Sequence, residues 1–251
     1  MTQIQQAFHA EVIGRLEELG RTIAAGGLDE AIALTTESLA SGGVLQAFGT
    51  GHSEAFAMEI AGRAGGFIPT NKIALRDLVL RGGRDEAILS GGELERDPQI
   101  VDDLVGLYDF HPEDVFLIAS NSGVNGSIVG LALAIKERGH KLIAVTSLQH
   151  TNAVTPKHPS GKRLSEIADV VIDNLAPFGD ATLSVGDGIG VGAVSSLTAA
   201  YIAQILTISA AERMVADGHT PPIYISANRP GGDEHNHALE ERYGDRIRRS
   251  A

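Results

Sequence analysis

At 251 residues and 43% hydrophobic composition, the chain can bury a substantial core as one large α/β unit, and with no cysteine it has neither a disulfide framework nor a thiolate zinc site. Lys plus Arg number 20 against 32 Asp plus Glu, a formal net charge of −12, which argues against nucleic acid or an anionic membrane as partner and makes any anion site a local feature. The first residues form a charged amphipathic pattern, not an apolar signal segment, and the apolar stretch 202–211 is broken by Gln204, Thr207 and Ser209, so no membrane span is predicted and the expected compartment is the cytoplasm.

Apolar residues at helical spacing (Phe8, Val12, Leu16, Leu19) predict a helix over 6–19, and a second over 28–39 follows the break at Gly26 and Gly27. The short apolar run 44–48 lies between glycines and leads into a helical pattern over 53–64, which reads as strand, glycine turn, helix. The same order recurs with a strand at 115–119, the turn Ser120-Asn121-Ser122-Gly123, a helix over 126–138 closed by Gly139, and a strand at 142–145. A further strand is expected at 170–172, and 190–216 reads as one long helix rich in small residues. His140, just past a helix end, is expected at the surface. Strands alternating with helices imply right-handed crossovers and a parallel sheet covered on both faces, an α/β three-layer sandwich behind a helical N-terminal extension. Residues 76–98, with glycine pairs and mixed charge, are too long for an ordinary connection and read as a lid or a surface excursion. One domain over 1–251 is expected, with N-terminal helices at 1–41, a core at 42–217 and a tail at 218–251.

In an open parallel sheet the ligand sits at the carboxyl ends of the strands. Both informative turns fall there. The first, Phe48-Gly49-Thr50-Gly51-His52-Ser53, offers glycines for close backbone approach and two hydroxyls beside a helix start, although a tight corner with a Ser cap would look the same. The second, Ser120-Asn121-Ser122-Gly123-Val124-Asn125, repeats the arrangement after another buried strand. Hydroxyl and amide donors aided by helix dipoles hold phosphate without a basic patch, which reconciles an anion site with an acidic chain.

These two motifs, with Ala134 to Thr146 after them, resemble the sugar isomerase (SIS) family of phosphosugar-binding domains over roughly 42–216. Within that family the chain looks most like bacterial proteins grouped with the phosphoheptose isomerases, which similarly carry His158-Pro-Ser-Gly-Lys-Arg-Leu164 and Gly231-Gly-Asp-Glu-His-Asn236. The resemblance implies a flavodoxin-like fold with a central five-stranded parallel sheet. It also maps Gly49, Thr50, Gly51, Ser53, Ser120, Asn121, Ser122, Gly123 and Asn125 onto the phosphate-binding turns, and implies no cofactor. The chain departs from the family in three places, the first being the stretch after Gly123, where many members carry Thr-x-Glu and this sequence has Val124-Asn125-Gly126, so that no carboxylate comes from that turn. Where the phosphoheptose isomerases and related etherases carry a catalytic Glu in the helix after the first turn, this sequence has Arg63, and the His of their last long helix is missing from 190–216.

Aldose–ketose exchange needs a base to move a proton between adjacent carbons and an acid for the ring and carbonyl oxygens. Glu59, one helical turn before Arg63, is the candidate base, set against an intrahelical ion pair with Arg63. His52 in the first turn and His235 in the tail are the candidate partners. Asp233, Glu234, His235 and His237 form the densest group of possible metal ligands, but a polar helix cap starting at Asp233 is preferred and no metal is expected. Lys162 is a candidate for contact with a sugar acid or phosphate, against a solvated loop. The combined reading is a phosphosugar-binding protein acting as an aldose–ketose isomerase on a phosphorylated or anionic sugar. A non-catalytic phosphosugar sensor and a sugar-phosphate lyase or etherase are the alternatives. Apolar helix surface at Val12, Leu16 and Leu19 and along 190–210 predicts a homodimer or homotetramer.

Overall fold

The computed structural model describes residues 1–248. Two helices, α1 (Gln3–Ala24) and α2 (Asp29–Ala40), precede β1 (Leu45–Gly49), α3 (Glu54–Ile60) and β2 (Thr70–Ile73). The excursion that follows holds short helices α4 (Asp77–Leu80) and α5 (Glu93–Arg96) and leads into α6 (Val101–Val105). Then come β3 (Val115–Ala119), α7 (Gly126–Glu137), β4 (Lys141–Thr146), α8 (Leu148–Ala153) and β5 (Val170–Asp173). A hairpin of β6 (Ala181–Ser184) and β7 (Gly190–Ala193) leads into α9 (Ser195–Ala216), and α10 (Gly232–Glu240) is followed by a single 3-10 turn at Gly244–Arg246.

The five parallel strands run in the order β2-β1-β3-β4-β5, with Gly49 beside Ala119 and Ala119 beside Val145 at their carboxyl ends. Each strand points alternate residues to opposite faces. Leu45, Ala47, Val115, Leu117, Ile143 and Val145 meet one layer, in which Leu19, Leu39, Phe56, Ile202 and Leu206 come from α1, α2, α3 and α9. Phe48, Ile73, Phe116, Ile118, Leu142 and Ala144 meet the other layer, where Leu104, Ile128, Leu131 and Ile135 come from α6 and α7. The three-layer sandwich with five parallel strands stands as expected.

Four local expectations are corrected. The fifth strand is β2, which the sequence reading did not place because Asn71 and Lys72 break its apolar pattern. Asn71 is nonetheless buried, donating to Gln46 Oε1 at 3.1 Å and to the Arg246 carbonyl at 2.7 Å. Residues 190–193 pair with β6 instead of opening the long helix. Asp187-Gly188 makes the turn, and Gly192 at φ +78° lies so close to Phe8 that a Cβ there would come within 2.8 Å of the ring. Helix α3 ends at Ile60, short of Arg63. The fourth concerns His140, which is buried with its ring 5.1 Å from that of Phe116.

Burial pulls the His140 pKa below its ordinary value, so the folded chain resists a proton that the unfolded chain takes up. Stability should therefore fall as the pH drops below about 6.5, by at most about 1.4 kcal/mol per pH unit for each such histidine. Melts of the wild type and of His140→Gln from pH 7.5 to 5 should show a shallower slope in the variant; parallel slopes would refute the assignment.

The amino ends of the strands are closed by the tail. Asp114 is fully buried and accepts from Val44 N at 2.9 Å, Gln46 Nε2 at 3.0 Å, His111 N at 3.2 Å and Arg246 Nη2 at 2.7 Å. Arg248 N donates to Asn71 Oδ1 at 2.7 Å, so the tail is also tied to β2.

Candidate functional site

The first corner begins at Gly49, where a Cβ would meet the Ser53 carbonyl oxygen at 2.2 Å, so the chain can turn this tightly only with glycine. Gly51 follows at φ +55°, and Ser53 N closes the turn on the Thr50 carbonyl at 3.1 Å. Glu54, whose charge would oppose an anion here, is held by Lys72 at 3.4 Å and by Arg76.

The second corner begins at Ser120, whose Oγ accepts from Gly123 N at 3.1 Å, with Gly123 at φ +63°. Asn125 is the residue before α7 and has extended backbone angles. The loop carrying His158 and Arg163 backs this corner: Lys157 N donates to the Val124 carbonyl at 3.2 Å, and Leu164 N to the Gly123 carbonyl at 2.8 Å. His158 is bound locally to Ser160, and Lys162 stands exposed, its side chain without a partner among the described residues.

Because β1 and β3 are neighbours, the two corners meet at a small cleft lined by His52, Ser53, Ser120 and Asn121, with Asn174 and the start of α9 at Ser195 on its far wall. The hydroxyls of Ser53 and Ser122 make no hydrogen bond among the described residues, and the Ser120 hydroxyl proton is uncommitted. Three O–H donors thus stand at adjoining corners, beside the positive end of α7. The Asn121 side chain is already engaged, accepting from Asn174 Nδ2 at 3.2 Å and approaching His150 Nδ1 at 3.2 Å.

Sequence reasoning missed His150 and Glu95. His150 Nδ1 faces two donors, the Asn121 amide and Gly179 N at 3.4 Å, so Nδ1 accepts and the ring proton of the neutral form sits on Nε2. The ring lies 5.1 Å from that of Phe178, and burial lowers its pKa, opposed by the charge of Asp180. Asp180, at φ +67°, accepts from Val194 N at 3.1 Å and from Ser195 N and Oγ at 2.8 and 2.7 Å, which fixes the start of α9. Glu95 reaches the second corner from the excursion, where its carboxylate accepts from Asn125 Nδ2.

The other sequence candidates lie apart from the cleft. Glu59 is ion-paired with Arg63 and accepts from Gln204 Nε2 at 2.6 Å, tying α3 to α9. His235 Nε2 is 3.0 Å from the Ile223 carbonyl on the exposed face of α10. Asp233, Glu234 and His237 are exposed, and no three His, Cys, Asp or Glu converge on a metal position among the described residues. The working residue of that motif is the buried Asn236, which grips both Ile225 N and O, at 3.0 and 2.9 Å, and folds the tail back. A wider cleft of about 810 Å³ runs along β2 beside Arg63, Lys72 and Tyr224. It holds none of the corner hydroxyls, and its Arg63 and Lys72 are paired with Glu59 and Glu54.

A family model described as SIS domain matches residues 7–147. A UPF0309 protein of Listeria monocytogenes is 40% identical over 232 residues, spanning 92% of this chain and 93% of its own. A UPF0309 protein of Geobacillus kaustophilus is 35% identical over 221 residues, spanning 88% and 86%. Among solved structures, a phosphoheptose isomerase from Francisella tularensis superposes with a TM-score of 0.53 at 16% identity, covering 84% of this chain and 100% of that one, a likeness of fold. No described helix is long and apolar enough to cross a membrane.

Proposed function

The chain belongs to the SIS domain family, and from that premise we propose that its two corners hold the anionic group of a phosphorylated or otherwise anionic monosaccharide, which the chain isomerises between aldose and ketose. The observation that carries this reading is the set of uncommitted hydroxyls, Ser53, Ser120 and Ser122, on two adjoining strand-to-helix corners. Polar hydrogens left without acceptors beside a helix start are what a phosphate satisfies. Calorimetric titration with a panel of aldose and ketose phosphates and their free sugars is the direct test. Binding of a phosphorylated sugar and not of its free form is expected; equal binding, or none, overturns the reading.

For proton transfer we assign His52 of the first corner and His150 of α8 rather than Glu59. His52 lines the cleft, and His150 sits behind Asn121 with its exchangeable proton on Nε2. Its lowered pKa keeps it neutral near pH 7, so Nε2–H is the proton it can give, while Nδ1 is held by Asn121 and Gly179; the ring is therefore assigned as the acid and His52 as the base. Glu59, shared between Arg63 and Gln204, is assigned the packing of α3 on α9. With the turned-over sugar phosphate, His150→Gln should lower kcat about a hundredfold with little change in KM, while Glu59→Gln keeps most of its turnover. The reverse pattern would return the base to Glu59.

A further inference from the structure

The excursion between β2 and β3 places a carboxylate of the chain itself at the anion-binding corners. Glu95 accepts from Asn125 Nδ2, and a methyl placed on Gly51 of the first corner would lie 3.3 Å from Glu95 Oε2, so the carboxylate stands between the two corners. Its backbone is fixed to the first turn of α7, where Ser127 Oγ donates to the Glu95 carbonyl at 2.7 Å. Gly126 makes this approach possible, since a Cβ there would meet the Arg96 carbonyl oxygen at 2.0 Å.

We propose that Glu95 is an internal competitor for this site: its carboxylate occupies the space between the corners, and a phosphorylated ligand binds by displacing it and lifting α5 away from α7. The proposal rests on the anion-binding reading above and adds its regulation. Three observations on the strap support it. Residues 81–93 are exposed except for the partly buried Ile88, so the contacts that oppose movement of the strap reduce to Ile88, Leu94 of α5 and the ion pair of Arg84 with Asp103. Glycine pairs bracket that stretch, Gly82-Gly83 and Gly91-Gly92, with Gly83 at φ +68° and Gly91 at φ +75°, backbone suited to hinges. The closed arrangement also leaves Asn125 Oδ1 buried without a donor among the described residues, a cost that opening or a ligand hydroxyl would relieve. A phosphate dianion accepts from more donors than a carboxylate, so exchange of one for the other is favoured once phosphate is abundant. The competition lowers the apparent affinity by the fraction of molecules held closed.

The experiment compares inorganic phosphate binding to the wild type, Glu95→Ala and Glu93→Gln by calorimetry, with amide hydrogen exchange over 84–97 in the wild type. Glu93 is exposed and two residues away, so its variant controls for loss of a nearby charge. Glu95→Ala should bind phosphate about tenfold more tightly, with Glu93→Gln unchanged, and phosphate should speed exchange across the strap. Equal affinity in all three proteins, or exchange slowed by phosphate, overturns the competitor while leaving the anion site standing. Equal tightening in both variants reduces the effect to net charge and also overturns it. No phosphate binding to any of them removes the anion site itself.

Discussion

Replacing Ser120 and Ser122 together by Ala should weaken sugar phosphate binding by about a hundredfold or more, because each removes a hydroxyl donor to a charged acceptor, an interaction of about 1.5–3 kcal/mol. The two positions differ in what they cost the fold. Ser122 makes no side-chain hydrogen bond among the described residues and is half-buried, so Ser122→Ala alone should leave thermal stability unchanged while weakening binding. Ser120 Oγ accepts from the buried Gly123 N, so Ser120→Ala should also cost about 1 kcal/mol of stability. Calorimetry and thermal melts on the two single variants and the double variant separate these effects. Full affinity in the double variant would move the phosphate away from the second corner.

The largest stability effect is expected at the other end of the sheet. Asp114 is fully buried and satisfies two backbone N–H groups, the Gln46 amide and the Arg246 guanidinium. Asp114→Ala takes the acceptor from those donors and leaves the guanidinium with the Gly42 carbonyl alone at 2.9 Å, its Nε having no partner among the described residues. Breaking a buried pair from one side costs about 3–5 kcal/mol, a large share of the stability of a chain this size. Arg246→Leu should cost less, because the carboxylate keeps its three other donors. Denaturant titration should order the proteins as wild type, Arg246→Leu, Asp114→Ala from most to least stable. The opposite order would mean that the tail, and not the carboxylate, organises this end.

How much of this could be read from the sequence depended on how local each signal was. Strands β1, β3, β4 and β5 are apolar runs ended by glycine or turn residues, and their pattern is visible within a few positions. Strand β2 was hidden because Asn71 is satisfied by Gln46 and by residues 246 and 248, partners that no local window contains. The corners were legible because tight turns need glycine and the adjoining hydroxyls are close in sequence. His150 and Glu95 were not, since they reach Asn121 and Asn125 across separations of 29 and 30 residues. In the tail, the attraction of Asp233, Glu234, His235 and His237 as ligands concealed the plainer part played by Asn236, a side chain that imitates a strand partner for Ile225.

The bond between Asp114 and Arg246 spans 132 residues, which bears on the order in which a ribosome releases the chain. Strands β1, β3 and β4 can pair as soon as they emerge, but the carboxylate at their amino ends gains its guanidinium only after residue 246 has left the exit tunnel. During synthesis the nascent sheet therefore carries a carboxylate without its guanidinium and an Asn71 without its bonds to residues 246 and 248. Emergence of residue 246, rather than formation of the sheet, is then the event that completes the pairing of this carboxylate.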